Sequence, residues 1–327
     1  MTTGKPHIHY LKRQNIDPQR WDECIGQAAN SLVYALHFYL DHMADHQWDA
    51  LVMDDYRAVM PLPWRRKAGI RYLYQPAFTQ QSGIFYRPDA PAALPVHPPP
   101  PLNPTAPPAP PSALADSFLH QLRSHFRFAE IYLNYGNPYP GLPTRTNFIL
   151  PLDAPYARLA AGYKKDLVRN LKLAAAASLD YLRDFDLPTS LDAYRREYAS
   201  RTPYIRPEDY RHFEQLCLLM KQRGQLLVRA VTGPKQQLLA TAVLFRDHNR
   251  LYLLQSTTLP EGRKTGANHF LLDQLIREWA DSGLTLDFEG SEVPGIAHFY
   301  ENFGSSDQPY FFYRHNQLNW LFRLLKK

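Results

Sequence analysis

Residues 252–304 allow few chain paths. Residues 251–257 read as a strand, followed by the polar string Arg263-Lys264-Thr265-Gly266-Ala267-Asn268. Phe270, Leu271, Leu275, Ile276 and Trp279 then recur at helical spacing, which predicts an amphipathic helix over 266–280. Residues 284–289 predict a second strand, and residues 295–302 a short helix that ends near Phe303-Gly304. A glycine-bearing loop that opens a helix leaves backbone N–H groups unpaired, and the helix dipole favours an anion there. Gly266 puts no Cβ in the way of such an anion, and Arg263 and Lys264 add positive charge. The same string also reads as an ordinary helix entry with surface bases.

The pattern ahead of this stretch has a similar order. Residues 20–38 predict a helix; 48–53, 57–62 and 70–75 predict strands. A helix over 114–126 and strands over 129–135 and 146–151 follow. The second half gives helices over 164–182 and 207–223, strands over 225–231 and 239–245, and a last strand over 310–314. Gln80-Gln81-Ser82-Gly83-Ile84-Phe85 follows the third strand of the first half, as Arg263 to Asn268 follows that of the second. The shared order predicts an internal duplication with domains at 1–155 and 156–327. Residues 88–111 hold twelve prolines in 24 positions, which excludes helix and sheet pairing. This tract is expected to be an extended loop inserted in the first half; a ligand for a proline-reading module is the alternative.

Composition bounds the function class. With 45% hydrophobic and 13% aromatic residues, global disorder is excluded. A formal net charge of +6 suits an anionic small ligand or a weak nucleic-acid surface. Cys24 and Cys217 lie far apart in helical patterns, so neither a disulfide framework nor a metal site is expected. No apolar run reaches the length of a membrane span and the N-terminus lacks a leader pattern, so a cytoplasmic protein is expected.

Tyr300 is the first candidate for chemistry. In acyl transfer from a thioester the sulfur leaves as a thiolate, and a phenol with a pKa near 10 is a suitable proton donor. It also reads as a core aromatic. An attacking amine must lose a proton, and Glu289 is the candidate base, with His298 its rival. Glu289 equally reads as a cap on the turn at Gly290. Lys165, Arg169 and Lys172 put three cations on one helix face, opposite Leu167 and Leu171. That face is either solvated or a contact for an acidic substrate.

Together Arg263, Gly266, Tyr300, Glu301 and Gly304 resemble the fingerprint of the GNAT N-acyltransferase superfamily. Asn268 departs from it where glycine or alanine is usual, and Ser305 where phenylalanine is. The duplicated length resembles the Fem-type aminoacyltransferases and related tandem acyltransferases. So do Tyr163 to Lys172, Asp287 to Ser291 and Pro294 to Tyr300. The resemblance implies an α/β (α+β type) fold of two tandem GNAT-like domains, each a mixed, mostly antiparallel sheet flanked by helices. It implies a donor site in the second half and a degenerate first half. Acetyl-CoA or another acyl-CoA would be the co-substrate, with its phosphates on Arg263, Lys264, Thr265, Gly266, Ala267 and Asn268. Its pantetheine arm would lie along the backbone of Gln255, Ser256 and Thr257. Tyr300 would be the general acid. The acceptor, a small-molecule or peptide amine, would meet Gln75, Gln80, Gln81, Lys165, Arg169 and Ser291. Direct attack is expected, because no Cys–His or Ser–His pair is apparent. The alternatives are an aminoacyl-tRNA donor, and an inactive binding protein in which Asn268 marks a lost site.

Overall fold

The structure is a computed structural model that describes residues 7–87, 113–290, 292 and 294–318. The proline tract and Ser291 lie outside the described residues. The chain divides into two units, Met1–Arg145 with Pro309–Lys327, and Thr146–Gln308.

The first unit begins with β1 (Ile8–Lys12), α1 (Pro18–Gln27), α2 (His37–Met43), β2 (Trp48–Met53), β3 (Ala58–Lys67), β4 (Ile70–Leu73) and β5 (Phe85–Tyr86). It continues with α3 (Ala113–His125), β6 (Phe128–Leu133) and β7 (Thr144–Arg145). Asp17 starts α1 by accepting from the Gln19 and Arg20 amides, with Pro18 in the first turn. The helix expected over 20–38 is broken after Gln27, because the Asn30 side chain is buried and bonds Ile84 O and Asn134 Oδ1. Phe118, Leu119 and Leu122 of α3 pack on Leu51, Met60 and Leu62 of the sheet.

The second unit runs β8 (Phe148–Pro151), α4 (Tyr156–Ala161), α5 (Lys165–Ala176), β9 (Asp180–Leu182), α6 (Leu187–Tyr198), α7 (Pro207–Gln222), β10 (Leu226–Thr232), β11 (Leu238–Arg246) and β12 (Arg250–Thr258). Then come α8 (Pro260–Thr265), α9 (Ala267–Trp279), β13 (Thr285–Asp287), α10 (Pro294–Glu301) and β14 (Ser306–Asp307). The final strand, β15 (Tyr310–Asn316), pairs with β6 of the first unit. The sheet orders are β1-β2-β3-β4-β6-β15-β7, with β5 on β3, and β14-β8-β13-β12-β11-β10-β9. Both are mixed and mostly antiparallel, with one parallel pair each, β4–β6 and β12–β13, among the described residues. The expected fold class is the observed one.

Several boundaries differ from expectation. The contact division falls at Arg145/Thr146, ten residues before 155/156, because β8 pairs with β13 and β14; the last strand joins the first unit through β6. The helix expected over 164–182 ends at Ala176. Ser178 takes a positive φ of 50° and the chain turns into β9, which pairs with β10. Among the described residues α4, α6 and α8 were not expected, and α2 lies almost wholly past the end of the helix expected over 20–38. α6 is opened by Asp186, which accepts from the Thr189 amide, and α8 by Pro260 in its first turn.

On β11, Ala240, Ala242 and Leu244 share one core with Leu271, Leu272, Leu275 and Ile276 of α9. The alternate residues face the other way, and Phe245 stacks on Phe213 of α7 at 6.0 Å. α6 also packs against β11 and β12.

The sheet opens at one place. β12 pairs with β13 only at Arg250↔Thr285, Leu251↔Leu286 and Tyr252↔Asp287. Beyond Tyr252, β12 runs on to Thr258 with no strand on that edge among the described residues. The last pair is pinned by a buried ion pair, Arg250 Nη1 to Asp287 Oδ2 at 2.6 Å. Removing one partner of a buried pair strands the other charge, so Arg250→Leu is expected to cost about 3–5 kcal/mol. Adding Asp287→Leu should return most of that loss. Urea unfolding of both variants checks this; a negligible loss in the single variant would show that the pair does not hold the strands together.

Candidate functional site

The open edge of β12, the N-terminus of α9 and one side of α10 enclose a cleft of about 320 Å³. A wider depression of about 810 Å³ lies at the other end of β12, around Arg246, Asp247 and Trp279, and holds none of the candidate site residues.

The string from Arg263 to Asn268 spans two helices rather than one loop. α8 ends at Thr265, Gly266 turns left-handed at φ 69°, and α9 starts at Ala267. The Arg263 amide is bonded to Leu259 O and the Gly266 amide to Gly262 O. The amides left for an anion are therefore those of the first turn of α9, from Ala267 to His269, where no side chain caps the helix. Gly266 is needed by the fold itself. A Cβ there would stand 2.9 Å from Asn170 O of α5, in a backbone conformation that side chains disfavour.

Arg263 reaches Glu197 Oε2 at 2.7 Å and Thr258 O at 3.2 Å, so its charge is largely balanced. Lys264 is exposed. Ser256 and Asn268 are joined across the cleft, with Ser256 Oγ donating to Asn268 Oδ1 at 3.1 Å. Gln255 and Thr257 are buried and face the opposite side of the strand from Ser256.

Tyr300 lines the cleft with only 9% of its surface exposed. Its ring stacks on Phe288 at 4.9 Å and contacts Phe299 at 5.5 Å. Burial first, and the charge of Glu289 second, push its phenol well above the ordinary value of 10. It therefore keeps its proton at any working pH. Glu289 has a positive φ of 58°, with its amide held by Asp287 Oδ1 at 3.0 Å. Gly290 behind it is wedged so that a Cβ would meet Thr146 O at 2.1 Å. His298 is exposed and does not line the cleft; its Nε2 stands 3.5 Å from Asp166 Oδ2.

Among the lining residues that the sequence reading did not single out are Tyr198 and His269. Tyr198 comes from α6, a helix that was not expected. His269 sits in the first turn of α9, 4.8 Å edge-on to Phe299, and desolvation lowers its pKa from 6.5 to about 4. It is neutral near pH 7 and offers one ring nitrogen as an acceptor. Its place at the third position of a helix carried no spacing signal.

The acceptor residues expected in the first unit have structural partners. Gln75 donates to Thr79 O and accepts from the Tyr132 amide; Gln81 donates to Gln80 Oε1 and accepts from the Tyr135 amide. The Gly83 segment does not open a helix. It leads into β5, and the Ile84 amide donates to Asn137 Oδ1 at 2.7 Å. Lys165 and Arg169 are exposed on α5, outside the cleft lining, with Arg169 3.2 Å from Asp166. Among the described residues no group of three or more His, Cys, Asp or Glu is placed to hold a metal, and no helix is long and apolar enough to cross a membrane.

Residues 162–299 match the family model described as an acetyltransferase (GNAT) domain. The second unit carries a GNAT domain. Over 98% of its length the chain is similar to all of the crystal structure of FemX, at 13% identity and a TM-score of 0.62, which shows the fold. It is also similar to a tandem GNAT protein from the clavulanic acid biosynthesis pathway, at 11% identity over 96% of this chain and 99% of that one, TM-score 0.47. L-PGS from Bacillus licheniformis is similar at 10% identity over 94% and 95%, TM-score 0.47. No curated protein matches. In the GNAT domain the matched segment contains the cleft up to Phe299, one residue short of Tyr300.

His269 is held neutral in the fold but protonates below 6.5 when unfolded, so the unfolded state binds more protons between pH 6.5 and about 4. Stability is lost as pH falls through that window, and His269→Phe should make the fall of Tm with acid shallower than in the parent protein. An unchanged slope would place the imidazole in solvent. Gly266→Ala should destabilise by about 1–3 kcal/mol in urea melts, through strain at a left-handed position against Asn170. A neutral result would show that α5 yields there.

Proposed function

We propose that the GNAT domain transfers an acyl group from an acyl-CoA to an amine by direct attack, and that the first unit has no donor site of its own. The observation that carries the reading is the meeting, in one cleft, of a free strand edge, an uncapped helix N-terminus and a buried phenol. The edge of β12 past Tyr252 can pair with the amide-bearing pantetheine arm. The first turn of α9 can take the pyrophosphate, helped by Lys264. In the first unit the corresponding glycine segment is occupied by Asn137, which supports the degenerate reading.

The neutral amine attacks the thioester carbonyl carbon, a C–N bond forms and the C–S bond breaks; the sulfur leaves as thiolate, and the proton shed by the new amide nitrogen passes to that thiolate, so that CoA is released as the thiol. Tyr300 is better suited to donate a hydrogen bond to that thiolate than to give up its proton. A thiol titrates near 8.5, below even an unperturbed phenol. The attacking ammonium must first lose a proton, and Glu289, close enough to raise the Tyr300 pKa, is the residue proposed to take it. The acceptor proposed is a small-molecule or peptide amine, and the protein is proposed to act in the cytoplasm.

Calorimetric titration with acetyl-CoA and CoA tests the donor site. Asn268→Asp is the control, because a carboxylate in the first turn of α9 suits the helix dipole yet repels a pyrophosphate. Micromolar binding that the variant loses supports the reading; no binding at millimolar CoA overturns it and points to an aminoacyl-tRNA donor. Tyr300→Phe should lower kcat by roughly a hundredfold, the loss of one oriented donor, with little change in acetyl-CoA affinity. An unaltered rate would remove Tyr300 from the mechanism.

A further inference from the structure

Three side-chain atoms on one face of the second unit's sheet have no hydrogen-bond partner among the described residues. They are Gln255 Oε1 and Thr257 Oγ1 on β12, and Ser190 Oγ on α6. Their residues are 3%, 1% and 1% exposed. Buried polar atoms are almost always bonded, so three on adjoining elements call for a common explanation.

Their placement follows from the strand alternation. Ser256 and Thr258 line the cleft on the α9 side, where Ser256 bonds Asn268. Gln255 and Thr257 point the other way, across from Val243 and Thr241 of β11. Ser190 belongs to the buried face of α6, the helix that packs on β11 and β12. One turn further along α6 stands Tyr194, 5.2 Å from Tyr198, whose ring lines the donor cleft. The charge of Glu289 is felt at both Tyr194 and Tyr300, so the carboxylate lies near both. β12 is bulged at Leu254, between the Val243↔Gln255 and Leu244↔Leu253 pairs, just where its other edge loses β13.

We infer that Gln255, Thr257 and Ser190 line an acceptor subsite on the α6 face of the opened sheet, built for a small, hydroxyl-bearing primary amine. The inference rests on the reading of the cleft as an acyl-donor site. The donor occupies the α9 face of β12 and the acceptor the α6 face, and they meet where the sheet has parted. One carboxamide oxygen and two hydroxyls are matched by a ligand that brings its own hydroxyls. An apolar amine of equal size would leave them unbonded, and sites of this kind reject such analogues strongly.

The probe pair is serinol and its isostere 3-aminopentane, which differ only in two hydroxyls against two methyls. Binding to the full chain is measured by calorimetry and saturation-transfer NMR, with and without CoA. Serinol is expected to bind at least roughly tenfold more tightly than 3-aminopentane, and Thr257→Val and Ser190→Ala should each weaken serinol by roughly tenfold. Both variants keep the backbone and should not lower Tm, because each removes an unbonded buried hydroxyl. Equal affinity for the two amines, indifference of both variants, or no serinol binding overturns the subsite. If serinol is discriminated but acetyl-CoA does not bind, the donor reading fails while the amine subsite stands.

Discussion

The buried pair of Arg250 and Asp287 sets where the second unit's sheet is closed and where it opens. Taking two charges out of water is costly unless their remaining hydrogen-bonding capacity is used. Here it is. Asp287 accepts from Arg250 on one oxygen and from the Glu289 amide on the other, and Arg250 also donates to Gln308. The same carboxylate therefore ends the β12–β13 pairing and starts the turn that carries Glu289 and Gly290. Gly290 has Thr146 and Asn147 against it, so the turn cannot relax outward. The left-handed conformation of Glu289 is a strained choice for a residue with a side chain. The Glu289 charge is felt at the Tyr300 phenol, and strain of this kind persists only where the surrounding structure holds it.

Desolvation shapes the cleft more than charge does. It keeps the Tyr300 phenol protonated and the His269 imidazole neutral, each by disfavouring the ionised form. Arg263, the most conspicuous cation of the motif, is balanced by Glu197. A ligand's negative charge would thus be met chiefly by backbone amides at the start of α9 and by Lys264. Backbone dipoles are fixed by the helix and cost no side-chain ordering, which favours them for holding a phosphate in a set position.

Much of this was legible in the sequence, for identifiable reasons. The strand over 48–53 has the observed bounds because every residue in it is buried and no competing period is present. The helix expected over 207–223 ends one residue early, at Gln222. The string from Arg263 to Asn268 and Tyr300 were both singled out, and Arg263, Gly266, Asn268 and Tyr300 do line one cleft. What failed was short or set by tertiary contacts. Six residues of α8 give no amphipathic period. α6 announces itself only by Asp186 and Pro188, and with it went Tyr198. The break after Gln27 depends on the bonds of Asn30 to Ile84 and Asn134, about 54 and 104 residues away in sequence. Gln75 and Gln81 were expected to meet an acceptor; each instead accepts from a backbone amide, of β6 or the turn after it, and donates to a nearby oxygen, Thr79 O or Gln80 Oε1.

Gly266 shows why a fingerprint residue cannot be assigned to ligand binding by spacing alone. It is required where α8 turns into α9 beside α5, whether or not a phosphate ever approaches. Asn268 is the reverse case. It departs from the small residue usual in the resembling family, yet its side chain is engaged by Ser256 on β12 rather than projecting unheld into the cleft. The bond is a single neutral one, of the kind worth about 1 kcal/mol net, and a ligand's own polar groups can replace it. In the proposed reading Asn268 narrows the entry to the helix amides without closing it, and supplies a carboxamide at the point where the donor's arm leaves β12 for α9.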